Sequence, residues 1–153
     1  MSHFSIEWAG YITPKVGVRA AIFKFDQILL IKEKSDNLWS LPGGWADVNL
    51  SPKENVLREI KEETGYVCSV VKLISMCDKR KDPTLSKWPH IYDLFFLCSI
   101  VSGEAKIKTL ETSDLQFFSE DNIPPLSANR VNNLQIKKCF HHYFSPLLPT
   151  EID

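Results

Sequence analysis

The sequence lacks long apolar runs and any marked excess of charge of one sign. No apolar stretch approaches the roughly 20 residues of a membrane-spanning helix, so no membrane association is expected. The N-terminus MSHFSIEWAG has no basic segment followed by an apolar run, which predicts a cytoplasmic location. A formal net charge of −1 offers no basic field for duplex nucleic acid. We therefore expect a small-molecule ligand and no stable nucleic-acid partner.

The sequence also lacks the cysteine and histidine patterns of common metal sites. Its four cysteines are dispersed, without the CxxC pairs of zinc sites or the density of a disulfide framework: Cys68, Cys77, Cys98 and Cys139. The four histidines show no HExxH or similar spacing. We predict buried, reduced thiols and structural or exposed histidines.

What is present is typical of one soluble domain. The 153 residues contain 44% hydrophobic and 24% charged residues, which is an ordinary globular balance. This length allows one core but not two. We expect a single domain over residues 1–153, with residues 1–12 as a short N-terminal extension.

The first part of the chain has strand patterns. Residues 16–25 alternate and then become apolar, and residues 28–31 resume after a polar break, which predicts a hairpin. Residues 38–41 suit a short strand, and Pro42-Gly43-Gly44 is expected to break regular structure.

A helix with clear end signals follows. Ser51 is a candidate N-cap, Pro52 occupies the first helical position, and Glu54 completes a capping box. Gly65 is placed to end the helix in a left-handed turn. These signals predict a helix over residues 52–64.

The remaining chain alternates strands with a final helix. Residues 66–76 and 90–101 are predicted strands, and the polar loop 78–89 between them is expected beside the ligand. A strand over residues 111–118 and a helix over residues 130–144 complete the pattern. The fold class is therefore α/β of the α+β type, with a mixed sheet sandwiched between helices.

Three carboxylates are grouped on the capped helix. Glu59, Glu62 and Glu63 are spaced three and four residues apart, which places them on one side. Such helical charge runs are commonly solvated surface. The alternative is a site for Mg²⁺ or Mn²⁺, because these cations prefer oxygen ligands and would relieve the repulsion among the carboxylates.

The spacing from Gly44 to Tyr66 favours the metal site. The segment resembles the Nudix box, G-x5-E-x7-R-E-U-x-E-E-x-G-U, where U is a bulky apolar residue, and six of the seven fixed letters match. The first box glutamate falls on Leu50. We hypothesise that Glu54 replaces it through an i, i+4 ion pair with Arg58.

The resemblance implies a Nudix fold and roles for the box residues. Glu59, Glu62 and Glu63 would be ligands of Mg²⁺ (or Mn²⁺), Arg58 would orient them, and the carbonyl of Gly43 or Gly44 would add a backbone ligand. The general base varies within the family. The candidates here are Glu62, Glu63, Glu111 and Glu120, and Glu111 is preferred to Glu120, whose position suits a turn cap.

The flanks of the box suggest a substrate class. The segments TPKVGVRAAIF, LPGGWADV and FFSEDNIPPLSANR are similar to a bacterial Nudix subgroup of ADP-ribose or CDP-choline pyrophosphatases. The resemblance implies hydrolysis of a nucleoside diphosphate linked to X, giving a nucleoside monophosphate and phospho-X, by a homodimer. The alternatives are a pyrophosphohydrolase that removes modified nucleoside triphosphates and a weakened Nudix domain that senses a nucleotide.

Four side chains are candidates for binding the substrate. Trp45 follows the glycine loop and would stack a base or hold a quaternary ammonium, or else pack in the core. Arg19 and Arg80 would hold phosphate or ribose. Lys79 and Lys81 share the loop with Arg80 and could do the same, although solvated charge is the favoured interpretation for at least two of these three loop residues. Arg130 would clamp a phosphate or satisfy nearby carbonyls.

Overall fold

The computed structural model describes residues 10–106 and 109–153, so most of the predicted extension lies outside the described residues. The elements in chain order are β1 (Lys15–Lys24), β2 (Gln27–Glu33), β3 (Trp39–Ser40), β4 (Gly43–Trp45), α1 (Pro52–Thr64), β5 (Tyr66–Asp78), β6 (Ile91–Gly103), β7 (Thr112–Phe118), α2 (Asn133–Phe144) and β8 (Glu151–Ile152).

The strands form a mixed sheet, as predicted. Its order is β3-β2-β1-β6-β5-β8, with β4 added to β1 and β7 added to β2. Strands β1 and β6 pair in parallel from Lys15↔Ile91 to Ile22↔Cys98, whereas β5 and β6 are antiparallel. The parallel pair brings the start of β6 beside the start of β1, although Lys15 and Ile91 are 76 residues apart in sequence.

Helices α1 and α2 pack on opposite faces of the sheet. Val18 and Ile22 of β1 share one buried cluster with Ile60 of α1, whereas Ala21 shares a second cluster with Phe140 of α2. Successive strand residues point to opposite faces, so β1 contributes to both clusters. The predicted sandwich of a sheet between helices is confirmed.

Several element boundaries differ from the prediction. Residues 42–44 were expected to break regular structure, but Gly43–Trp45 is a strand that pairs with β1. A Cβ on Gly43 would lie 2.0 Å from the carbonyl oxygen of Val18, so only glycine allows this close pairing. Helix α2 begins three residues later than predicted, where Asn132 forms a capping box with Gln135.

The cysteines follow the sequence prediction. Cys68, Cys98 and Cys139 are buried free thiols and Cys77 is partly buried. Burial raises the pKa of Cys98 to about 12. Within residues 10–106 and 109–153, no helix has the length and apolar character required to cross a membrane.

Candidate active site

Helix α1 is held at both ends by the predicted caps. The Ser51 hydroxyl accepts from the Glu54 N–H, and the Ser51 N–H donates to the Glu54 carboxylate, both at 3.1 Å. Gly65 adopts a φ of 81° and donates its N–H to the Lys61 carbonyl. The helix therefore places its glutamates at fixed positions beside β4.

Arg58 is oriented by Asp47, a residue that sequence reasoning missed. Its guanidinium donates to the Asp47 carboxylate and lies 3.6 Å from Glu59 and 3.7 Å from Glu62. The hypothesis that Glu54 pairs with Arg58 is wrong, because the Glu54 carboxylate caps the helix instead. Asp47 supplies the carboxylate that position 50 lacks.

Asn55 anchors the loop that carries Asp47. Its side chain is buried, its Oδ1 accepts from the Asp47 N–H at 2.9 Å, and its Nδ2 donates to the carbonyls of Ser51 at 3.2 Å and Leu50 at 3.3 Å. Leu50 thus contributes its backbone to the loop. No sequence signal pointed to Asn55 beyond its place on the helix.

Glu63 is the buried member of the carboxylate group. It is 7% exposed, and its Oε2 accepts a 3.0 Å hydrogen bond from the Gly43 N–H. Burial, together with the neighbouring Glu59 carboxylate, raises the pKa of Glu63 to about 9, against the opposing effect of the Gly43 hydrogen bond. Gly43 therefore contacts the group through its N–H, and a metal contact from the carbonyl of Gly43 or Gly44 stays a prediction.

Glu59 and Glu62 extend the group toward solvent. The Glu59 side chain is 14% exposed and that of Glu62 is 62% exposed. Burial and the nearby Glu62 raise the pKa of Glu59. A Cβ on Gly44 would lie 3.0 Å from the Glu59 carboxylate, so glycine makes room for it. The three carboxylates therefore differ in solvent exposure, which increases from Glu63 through Glu59 to Glu62.

In the described part of the chain, no three His, Cys, Asp or Glu side chains already converge as a metal-binding group. The donor chemistry nevertheless fits a hard divalent cation, because Glu59 and Glu63 are partly desolvated oxygen donors whose charges repel. Ligation would require Glu62 to turn in from solvent.

A cavity of about 760 Å³ begins at the Gly43–Glu63 contact. This volume is in the range of small-molecule and cofactor sites. Its lining includes five of the predicted substrate or catalytic residues: Arg19, Trp45, Glu63, Glu111 and Arg130. The antiparallel pairing of β4 with β1 brings Trp45 near Arg19, and the antiparallel pairing of β7 with β2 brings Glu111 to the end of β2.

Arg19 and Trp45 face this cavity from neighbouring strands. The Arg19 Nη1 donates to the Leu41 carbonyl at 3.2 Å, and its Nε is buried without a hydrogen-bond partner among the described residues. Trp45 is 49% exposed, with the Lys15 ammonium 4.9 Å from the ring centroid. Trp45 therefore belongs to the cavity wall and not to the core.

Arg130 crosses the far side of the cavity and is held by carboxylates. It lies 3.5 Å from Glu33 and 3.2 Å from Asp36, and it donates to the Ser127 hydroxyl at 2.8 Å. Glu33 is 8% exposed, and burial raises its pKa against the lowering effect of Arg130. Glu33, the last residue of β2, was not predicted from the sequence.

Arg80 does not reach the cavity. Its guanidinium binds the Asp78 carboxylate at 2.7 Å, and Lys79 is the member of the basic loop that lines the cavity. The prediction that Arg80 contacts substrate is therefore not supported by its position. Glu120 also lies away from the cavity, in a short 3-10 turn, whereas the exposed Glu111 is at the cavity edge.

Asp93 is a further cavity residue that the sequence analysis did not select. It is 3% exposed, and Lys79 lies 3.6 Å from its carboxylate. One sequence feature could have identified it: Asp93 is the only charged residue in the otherwise mostly apolar strand β6. Its place beside Gly17 depends on the β1–β6 pairing, which the local sequence does not reveal.

Comparison with known proteins agrees with the box and the fold. A family model described as the NUDIX domain matches residues 13–139, from before β1 into α2. The chain belongs to the Nudix family. YjhB of Bacillus subtilis (strain 168), provisionally named an ADP-ribose pyrophosphatase, is 42% identical over 144 residues, which cover 94% of this chain and 69% of that protein.

Two solved structures resemble this Nudix domain along nearly its whole length. A crystal structure of an ADP-ribose pyrophosphatase from Streptococcus suis 89-1591 has a TM-score of 0.83 at 40% identity, covering 92% of this chain and 100% of that one. A crystal structure of UDP-X diphosphatase has a TM-score of 0.85 at 30% identity, covering 100% and 76%. The protein is a Nudix pyrophosphohydrolase, of a family that generally depends on divalent metal ions.

Proposed function

We propose that this Nudix enzyme hydrolyses the pyrophosphate bond of a nucleoside diphosphate linked to X, with ADP-ribose as the first substrate. The products would be AMP and ribose 5-phosphate. CDP-choline is the second substrate of the same class. The principal support is the cavity of about 760 Å³ that joins the Glu63–Gly43 contact to Trp45 and the arginines. The names of the relatives agree, since two refer to ADP-ribose and one to UDP-X.

The carboxylates of α1 would hold the metal ion, which we propose to be Mg²⁺ (or Mn²⁺). Glu59 and Glu63 are the inner donors, and Glu62 would complete the set. Gly44 leaves the space in which the Glu59 carboxylate lies. When bound, such an ion neutralises pyrophosphate charge and activates water for attack on phosphorus.

The remaining residues of the cavity would position the substrate. Arg58 restrains Glu59 and Glu62 through ion pairs, so its role is orientation. Arg19 and Arg130 present positive charge to the phosphates and sugar. Trp45 offers a half-exposed ring on which a base can stack.

Glu111 is the proposed general base. It lies at the open edge of the cavity, where it can reach a water that approaches the phosphorus atom. Its exposed position distinguishes it from Glu63, whose Oε2 is engaged by the Gly43 N–H. Glu111→Gln would reduce kcat with little change in KM. The homodimer and the cytoplasmic location remain predictions from the sequence.

Product analysis tests the proposed activity. Purified enzyme is incubated with ADP-ribose, CDP-choline and a nucleoside triphosphate panel in Mg²⁺ or Mn²⁺, and the products are separated by chromatography. We expect nucleoside monophosphate and phospho-X from the first two. Release of inorganic pyrophosphate from triphosphates as the dominant reaction would support nucleotide sanitation instead. Nucleotide binding without turnover would support a sensor.

A further inference from the structure

Asp93 is a buried carboxylate that faces the cavity without a full set of partners. It is 3% exposed, and its Oδ2 has no hydrogen-bond partner among the described residues. The Lys79 ammonium lies 3.6 Å from that oxygen and compensates its charge. Buried carboxylate oxygens are usually hydrogen-bonded, because burial removes the bonds that water provided. The free position is therefore available to a donor on a ligand.

A glycine on the neighbouring strand determines where this carboxylate lies. Gly17 pairs with Asp93 on one side and with Trp45 on the other. A Cβ on Gly17 would lie 2.3 Å from the Asp93 Oδ1, so the carboxylate occupies the place of the missing side chain. Paired residues on neighbouring strands project to the same face. Trp45, Gly17 and Asp93 thus form one row, with an aromatic ring and a carboxylate at its ends.

The row lies a short distance from Arg19 and Glu63, the part of the cavity where the phosphates are proposed to bind. Arg19 follows Gly17 by two residues and pairs with Gly43, whose N–H binds Glu63. Two strand residues span about 7 Å. That spacing is close to the distance between a phosphate and the hydroxyls of the sugar attached to it. A base joined to the same sugar would extend toward Trp45.

We propose that Asp93 accepts hydrogen bonds from the ribose hydroxyls of the substrate's nucleoside, while Trp45 stacks the base. Carboxylates bind ribose hydroxyls in this way in dinucleotide-binding folds. The inference rests on the proposed function, since it requires a ribonucleotide substrate. It makes Asp93 a residue that determines specificity for ribose over deoxyribose.

The test compares substrates that differ by one hydroxyl. We would measure kcat/KM for ADP-ribose and its analogue lacking the adenosine 2′-hydroxyl, and for CDP-choline and dCDP-choline. The wild type should prefer each ribo substrate by about 10-fold or more, as expected for a hydrogen bond to a charged group. In Asp93→Ala the preference should fall below about 2-fold, because only the ribo substrate loses a contact.

Two further variants separate this role from damage to the fold. Gly17→Ala should also abolish the preference, because the added methyl displaces the carboxylate while Asp93 is retained. The matched control is Asp121→Ala, which replaces an exposed aspartate in the 3-10 turn. This variant should keep the wild-type preference for the ribo substrate. If Asp93→Ala does not fold, Asp93→Asn preserves the side-chain volume and should lower the preference without abolishing it, because a neutral amide oxygen accepts a weaker hydrogen bond than a carboxylate.

An equal loss on ribo and deoxy substrates in Asp93→Ala would overturn the assignment. So would a wild type that cleaves the ribo and deoxy substrates equally well. Failure of the proposed function has a different signature, in which neither ADP-ribose nor CDP-choline is cleaved. In that case calorimetric affinities for AMP and 2′-deoxy-AMP, measured on the same variants, decide the role of Asp93.

Discussion

Replacing Asn55 by alanine would detach the loop that holds Asp47 against Arg58. The variant loses the 2.9 Å bond from the Asp47 N–H and the 3.2 Å bond to the Ser51 carbonyl. Two such bonds in a buried position are worth about 1–3 kcal/mol, and the better helix propensity of alanine returns about 0.5 kcal/mol. The free energy of unfolding should therefore fall by about 0.5–2.5 kcal/mol.

The loss of these hydrogen bonds should be visible in both the thermal stability and the turnover rate of Asn55→Ala. For a domain of this size, 1 kcal/mol corresponds to about 2–4 °C, so Tm should fall by about 1–10 °C in a circular dichroism melt. The kcat should fall by about 10-fold, because Arg58 loses the support that orients Glu59 and Glu62. Asn133→Ala, at the exposed first position of α2, is the control. A wild-type Tm and kcat in Asn55→Ala would refute the anchoring role.

Three other changes test separate contacts. Gly44→Ala should lower kcat/KM by about 10-fold or more with little change in Tm, since its methyl would lie 3.0 Å from the Glu59 carboxylate; equal activity would count against that placement. Asp47→Asn should lower kcat by about 10- to 100-fold and leave Tm nearly unchanged, because the pair with Arg58 is exposed; kinetics and a melt at the same pH check both parts. The pKa of Glu151 is lowered in the folded state by its hydrogen bond to a buried histidine, so its stabilisation is present above its unfolded pKa and is lost as pH falls through the lower folded value. The Tm difference between wild type and Glu151→Gln should thus be largest above the unfolded pKa and shrink as pH falls through the lower folded pKa, and a difference independent of pH would contradict this.

The features predictable from sequence are those encoded locally. The α1 caps at Ser51, Glu54 and Gly65 were predicted correctly because each depends on residues within one helical turn. The glutamate spacing likewise follows from helix geometry. The predicted fold class was correct because strand and helix patterns alternate along the chain.

The features that were missed depend on contacts between distant segments. Asp47 reaches Arg58 only through the loop conformation that Asn55 maintains. Asp93 lies beside Gly17 because β6 pairs in parallel with β1. The short strand at Gly43 was missed because local glycine preference argued against it, while pairing with β1 stabilises it.

Chelation of divalent metal during ADP-ribose cleavage tests the proposed chemistry most directly. The rate of AMP formation is followed in wild type and Glu59→Gln, before chelator, after chelator, and after excess Mg²⁺ is restored. We expect wild-type turnover to stop and then recover, and Glu59→Gln to remain at least about 100-fold slower at every metal concentration. Turnover that persists through chelation, or a wild-type rate in Glu59→Gln, would contradict a metal-dependent site built on α1.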